Sequence, residues 1–152
     1  MPTKYQGKEK EVRALDAFIN LMRAAESVSA RIAINHSSER LTVSQFGVLE
    51  ALLHGGPLCQ RDIAKKILKS SGNITMVIDN LEKNGFVSRE PVAGDRRFYA
   101  IHLTPKGRKL ITRIFPAHVA SIVTSMNALT AVEQDELGRL CRKLGLGGSK
   151  ER

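Results

Sequence analysis

The sequence predicts a mainly α-helical domain with one small β-hairpin, and three observations carry that expectation. Apolar residues recur at three-or-four spacing along most of the 152 residues, the period of a half-buried helix. The period breaks once, around 86–103, where two short strand-like runs flank a polar stretch punctuated by Pro91 and Gly94. Helix-start signals stand at Thr42, Thr104 and Thr130, each just before an apolar-periodic segment.

Taken in order, the first helix runs from Glu9 to about His36, with Val12, Leu15, Ile19, Met22, Ala25, Val28 and Ile32 on one face. Its length, uninterrupted by Gly or Pro, leaves a stripe that needs partners. Thr42-Val43-Ser44-Gln45 has the capping-box pattern and opens a second helix whose apolar side is Phe46, Leu49, Leu52 and Leu53. Gly55-Gly56-Pro57 stops it. A short third helix starts at Cys59-Gln60-Arg61-Asp62 and continues through Ile63, Ala64 and Ile67. The fourth spans Asn73 to Asn84, with Ile74, Val77, Ile78 and Leu81 inward, and Gly85 closes it. Phe86–Arg89 and Phe98–Leu103 are the strands of an antiparallel hairpin, with 90–97 as its basic turn. Thr104-Pro105 restarts helix, because Thr caps and Pro suits the first helical position. This fifth helix carries Leu110, Ile111, Ile114, Phe115, Val119, Ile122, Val123 and Met126, with Pro116 inside it as a source of bending. A second capping box, Thr130-Ala131-Val132-Glu133, opens the last helix, with Leu137, Leu140, Cys141 and Leu144 on its stripe.

Composition bounds the function. Apolar residues at 42% and charged residues at 26% are ordinary for a folded domain. No run approaches the roughly 18 apolar residues of a spanning helix, and the polar start MPTKYQGKEK is not a secretory signal. Cys59 and Cys141 lack CxxC spacing, and His36, His54, His102 and His118 are scattered, so neither disulfides nor a metal site is expected. No nucleophile-base set, phosphate loop or carboxylate cluster suggests an enzyme. A cytoplasmic, cofactor-free protein is the expectation.

The charge has an address. The chain carries a net +9, and residues 57–113 alone hold +7, with +1 on either side. Such a concentration suits a polyanion. It coincides with two short helices followed by a hairpin, the order of a winged helix-turn-helix. With 74, 77, 78 and 81 inward, the fourth helix presents Ser71, Asn73, Thr75, Met76 and Asn80 for base edges, with Lys83 and Lys69 at phosphate height. Backbone amides near Ser70 and Ser71 offer a phosphate site at the helix start. Arg89, Arg96 and Arg97 add wing cations, and an arginine gains from a narrow minor groove. Asp95 is expected to orient an arginine through a bidentate ion pair. Cys59, at a helix start, is a candidate redox thiol.

The segments Gly56–Ala64, Asn73–Val87, Asp95-Arg96-Arg97 and Leu103–Gly107 together resemble the MarR family of bacterial transcriptional regulators, over nearly the whole chain. Cys59 stands where that family usually has Thr or Ser. The resemblance implies a homodimer clamped by its first and last helices, recognition helices in successive major grooves and wings in flanking minor grooves. It makes Arg97 the wing-tip arginine and Arg96 a phosphate contact. By family analogy, a small aromatic ligand binds between the dimer region and the winged domain. The apolar stripes at both chain ends suggest the twofold partner independently. The expected organisation is a flexible start at 1–8, a single domain over 9–146 and a loose tail at 147–152. Within that domain, 9–40 and 104–146 form the dimerisation helices and 41–103 the winged helix-turn-helix. The function expected is sequence-specific binding of double-stranded, palindromic operator DNA, most simply as a repressor that a small aromatic ligand or an oxidant releases. The alternative is a sequence-tolerant architectural DNA-binding protein.

Overall fold

A computed structural model describes residues 2–36, 41–67 and 71–147. Along the chain lie α1 (Glu9–His36), α2 (Val43–Gly55), β1 (Leu58–Cys59), α3 (Gln60–Ile67), α4 (Ser71–Lys83), β2 (Val87–Val92), β3 (Asp95–Leu103), α5 (Pro105–Met126) and α6 (Ala131–Gly147). The mainly helical class with a β-hairpin therefore holds. Both predicted capping boxes form. Thr42 Oγ1 accepts from Gln45 N while Gln45 Oε1 accepts from Thr42 N, and Thr130 and Glu133 repeat the exchange. The hydrogen bonds from Thr130, backbone first, hold the Glu133 carboxyl below its usual range.

Apolar periodicity becomes a core where four helices meet the sheet. Phe46, Leu49 and Leu52 of α2, Ile63 of α3, Ile74, Ile78 and Leu81 of α4, Ile101 of β3 and Ile111 of α5 are all fully buried. Each such side chain contributes roughly 1.5–3 kcal/mol by leaving water. This core sits directly behind α4 and holds that helix by one face.

The sheet has three antiparallel strands in the order β1-β3-β2. Strand β1, absent from the sequence reading, pairs Leu58 with Ile101 and Cys59 with Ala100. Two residues have no period of their own; only the neighbouring β3 makes them a strand. The hairpin is longer than its sequence suggested. Val92 pairs with Asp95, so the turn is just Ala93-Gly94, and Asp95, Arg96 and Arg97 belong to β3. The register shifts between Pro91 and Val92, and these polar residues lack the apolar signature of a strand.

One junction sets the wing against the helices. Gly85, at φ 78°, ends α4, with Phe86 N donating to Leu81 O and Gly85 N to Glu82 O, a Schellman closure. The Thr104 hydroxyl donates to Gly85 O at 2.6 Å and accepts from Gly107 N at 3.0 Å. Gly107 faces the Phe86 carbonyl so closely that a Cβ there would lie 1.9 Å from its oxygen. Lys106 completes the junction: its Nζ donates to Asn84 O and stands 4.9 Å over the Phe86 ring.

At the chain start, Tyr5 and Lys8 bond the Glu11 carboxylate and Thr3 N donates to Asp16, so residues 3–8 lie against the start of α1. Helices α1 and α6 leave much of their stripes uncovered: Phe18 is 59% exposed and Leu144 66%. Inside, His118 of α5 is buried against the Phe46 ring at 4.1 Å, with its Nε2 3.9 Å from Glu50. Burial pushes its imidazole below the ordinary 6.5.

Two outcomes are expected. Gly107→Ala should lower the unfolding free energy in urea by about 3 kcal/mol or more, since backbone cannot yield to the new methyl. For His118, the unfolded chain takes up a proton before the folded one does. Its contribution is therefore complete above pH 6.5 and is lost as the pH falls from there through the folded value. Unfolding measured from pH 7.5 to 5 should show this loss at no more than about 1.4 kcal/mol per pH unit, and His118→Gln should remove it.

Candidate nucleic-acid interface

Helix α4 is held from behind by Ile74, Ile78 and Leu81, and this places Asn73, Thr75, Met76, Asn80 and Lys83 on its solvent side. Met76 is 65% exposed, so α4 offers an apolar as well as a polar surface to solvent. Ser71 opens the helix. Ser70 and Lys69 fall outside the described residues, and so does the phosphate site expected from their amides.

The packing of α3 against α4 adds a residue that sequence reading missed. Gln60, the first residue of α3, donates from Nε2 to Thr75 Oγ1 at 2.5 Å. It thereby ties the solvent-facing side of α4 to the preceding helix. Its only signal in the sequence was a polar amide at the first position of the leading helix of a helix-turn-helix. Beside this bond, α3 and β3 enclose a cleft of about 570 Å³ lined by Gln60, Arg61, Asp62, Lys65, Arg89 and Arg97 among others. Arg61, Lys65, Arg89 and Arg97 share its wall with Asp62 and the rings of Phe98 and Tyr99.

The side chains of three residues singled out from the sequence have partners. Asp95 accepts the backbone N–H of Arg97 at 3.0 Å, which shapes the start of β3. An Asp two residues before an amide makes this turn readily. Arg89, expected among the DNA contacts, pairs with two carboxylates of α4. Its Nη1 donates to Glu82 Oε1 at 3.0 Å, its Nη2 to Asp79 Oδ1 at 2.5 Å, and its backbone N to Glu82 Oε2 at 3.1 Å. Sequence spacing could not find this pairing, because β2 meets α4 only through the Gly85 turn. Cys59 precedes α3, and its Sγ donates to Asp62 Oδ2 at 3.1 Å. The thiol is thus tied to the side chain of Asp62 in the first turn of the helix it introduces.

Arg97 is exposed and, with Arg96, occupies the β3 end nearest the Ala93-Gly94 turn. The wing is joined to α4 by the Arg89 contacts.

Comparison with known proteins agrees with this architecture. Residues 41–98 match the MarR family, a segment spanning α2 to the middle of β3. The chain is 37% identical over 139 residues to the uncharacterized HTH-type transcriptional regulator YkoM of Bacillus subtilis, covering 91% of this chain and 90% of YkoM. Among solved structures it is similar to Bordetella bronchiseptica BpsR, whose DNA binding is regulated by 6-hydroxynicotinic acid. That likeness has a TM-score of 0.77 and 26% identity, over 85% of this chain and 98% of that one. The fold also matches Streptomyces coelicolor Sco3205, a MarR family transcriptional regulator solved in complex with DNA, at TM-score 0.81 and 22% identity over 95% and 91% of the two chains.

The bond from Cys59 to Asp62 makes a measurable expectation. Cys59→Ser retains a donor for Asp62 and should leave thermal stability nearly unchanged, whereas Cys59→Ala should cost about 0.5 kcal/mol in equilibrium unfolding.

Proposed function

The chain belongs to the MarR family of DNA-binding transcriptional regulators, and on that premise we propose that it is a repressor that binds a palindromic operator as a homodimer. The observation that carries the reading is the exposed polar and methionine face of α4, braced by Gln60 and set beside a basic hairpin. In this reading Asn73, Thr75, Met76 and Asn80 meet base edges in the major groove. Ser70, Ser71, Lys83 and Arg96 meet phosphates, and Arg97 enters the minor groove.

The homodimer is supported by the uncovered stripes of α1, α5 and α6, where Phe18, Met22, Val123, Leu140 and Leu144 remain exposed. Residues 9–40 and 104–146 would form the shared clamp, and 41–103 the reading head. Twofold symmetry then sets half-site centres about 10 bp apart. Release by a small aromatic ligand between clamp and head is proposed by similarity to BpsR, whose DNA binding answers to such a molecule. The ligand would act by favouring one spacing of the two recognition helices.

Selection of binding sites from a random DNA pool tests the whole reading. An inverted repeat is expected; indifference to sequence would favour the architectural alternative. Alanine at Asn73, Thr75 or Met76 should each remove about 1–3 kcal/mol of discrimination at one position of the selected site. Leu140→Glu should shift sedimentation from dimer to monomer and weaken operator binding with it.

A further inference from the structure

The recognition helix poses an electrostatic problem. Within the most basic segment of the chain, α4 itself carries Asp79 and Glu82 against a single Lys83, a net charge of −1. Asp79 lies three and four residues after Met76 and Thr75, on the side that faces solvent, where a bare carboxylate would repel the phosphates flanking a groove. One guanidinium answers both carboxylates. Arg89 reaches Glu82 through Nη1 and Asp79 through Nη2, and its side chain is only 24% exposed.

The same contacts finish the sheet edge. Strand β2 is an outer strand of the β1-β3-β2 order. Thr104 N donates to Phe86 O, and Ser88 pairs with His102 in the same register. The alternation of an antiparallel ladder therefore turns the backbone N–H of Arg89 away from β3, to the open edge. Glu82 Oε2 takes that donor at 3.1 Å. The next outward position is Pro91, which has no N–H to satisfy. Helix and wing are thus bonded through three hydrogen bonds that converge on one residue.

We infer that Arg89 is a positioning residue: it locks the wing to the recognition helix and takes up that helix's two carboxylates, so that major-groove and minor-groove contacts are made at one fixed angle. This rests on the DNA-binding reading above. Arg89 works through Asp79 and Glu82 and does not itself meet the nucleic acid. A bidentate, planar group is needed here, since a lysine ammonium cannot bridge two carboxylates in a fixed plane.

The experiment is a mutant cycle on a site selected by the wild-type chain, using the full-length protein. Arg89→Gln in the wild-type background should weaken binding by about tenfold, because it frees the wing and bares both carboxylates. In a D79A/E82A background the same substitution should cost less than about threefold. Equal losses in the two backgrounds would mean a direct contact of the guanidinium with DNA and would overturn the inference. Site selection supplies a readout that loss of stability alone would not move. Arg89→Gln, and independently D79A/E82A, should keep the bases read by α4 but blur the preference at the flanking positions under the wing. Unblurred flanks in both variants would overturn the inference as well. A wild-type chain that selects no sequence overturns the DNA-binding reading itself, and the inference with it.

Discussion

The approach of the Gly107 backbone to the Phe86 carbonyl is the constraint on which the other contacts turn. It is possible only without a side chain at 107, and it brings the first turn of α5 onto the turn that ends α4. Thr104 then serves three neighbours at once: its hydroxyl bonds Gly85 O and Gly107 N, and its backbone N bonds Phe86 O. Recognition helix, hairpin and the long α5 are thereby fixed at a single point. A displacement of any one of them must pass through this junction.

From that point the interface is built outward by a small number of polar bonds. Gln60 ties α3 to α4 through Thr75, and Arg89 ties β2 to α4 through Asp79 and Glu82. These bonds lie near the surface, where a single ion pair contributes little to stability. Their value is geometric, because the core holds α4 only along its Ile74-Ile78-Leu81 face. The net +7 of residues 57–113 already counts these carboxylates, and without Arg89, Asp79 and Glu82 the rest of that segment carries +8. One arginine is spent on carboxylates, while exposed Lys83 and Arg97 remain at the rim.

Much of the fold was legible because its signals are local. Periods of three and four, capping boxes at Thr42 and Thr130, and Pro105 at a helix start are decided within a turn or two of chain. The face of α4 was legible for the same reason: once Ile74, Ile78 and Leu81 point inward, Asn73, Thr75, Met76 and Asn80 must point out. The bound ends of the hairpin were not. Asp95 to Arg97 carry no strand pattern and extend β3 past a register shift, with Asp95 opposite Val92, and Leu58-Cys59 become strand only against β3.

What the sequence determined by itself was the order and type of helices, the family, and the polar face offered for recognition, since each depends on residues near one another in the chain. Tertiary structure alone decided which charges face outward and which are consumed inside. Arg89, Glu82 and Asp79 meet across a helix, a turn and a strand, and Gln60 meets Thr75 across fifteen positions. Spacing along a chain carries no record of such meetings. They arise when a glycine without a side chain lets two backbones close to contact, and the side chains around it find whichever partners that closure brings within reach.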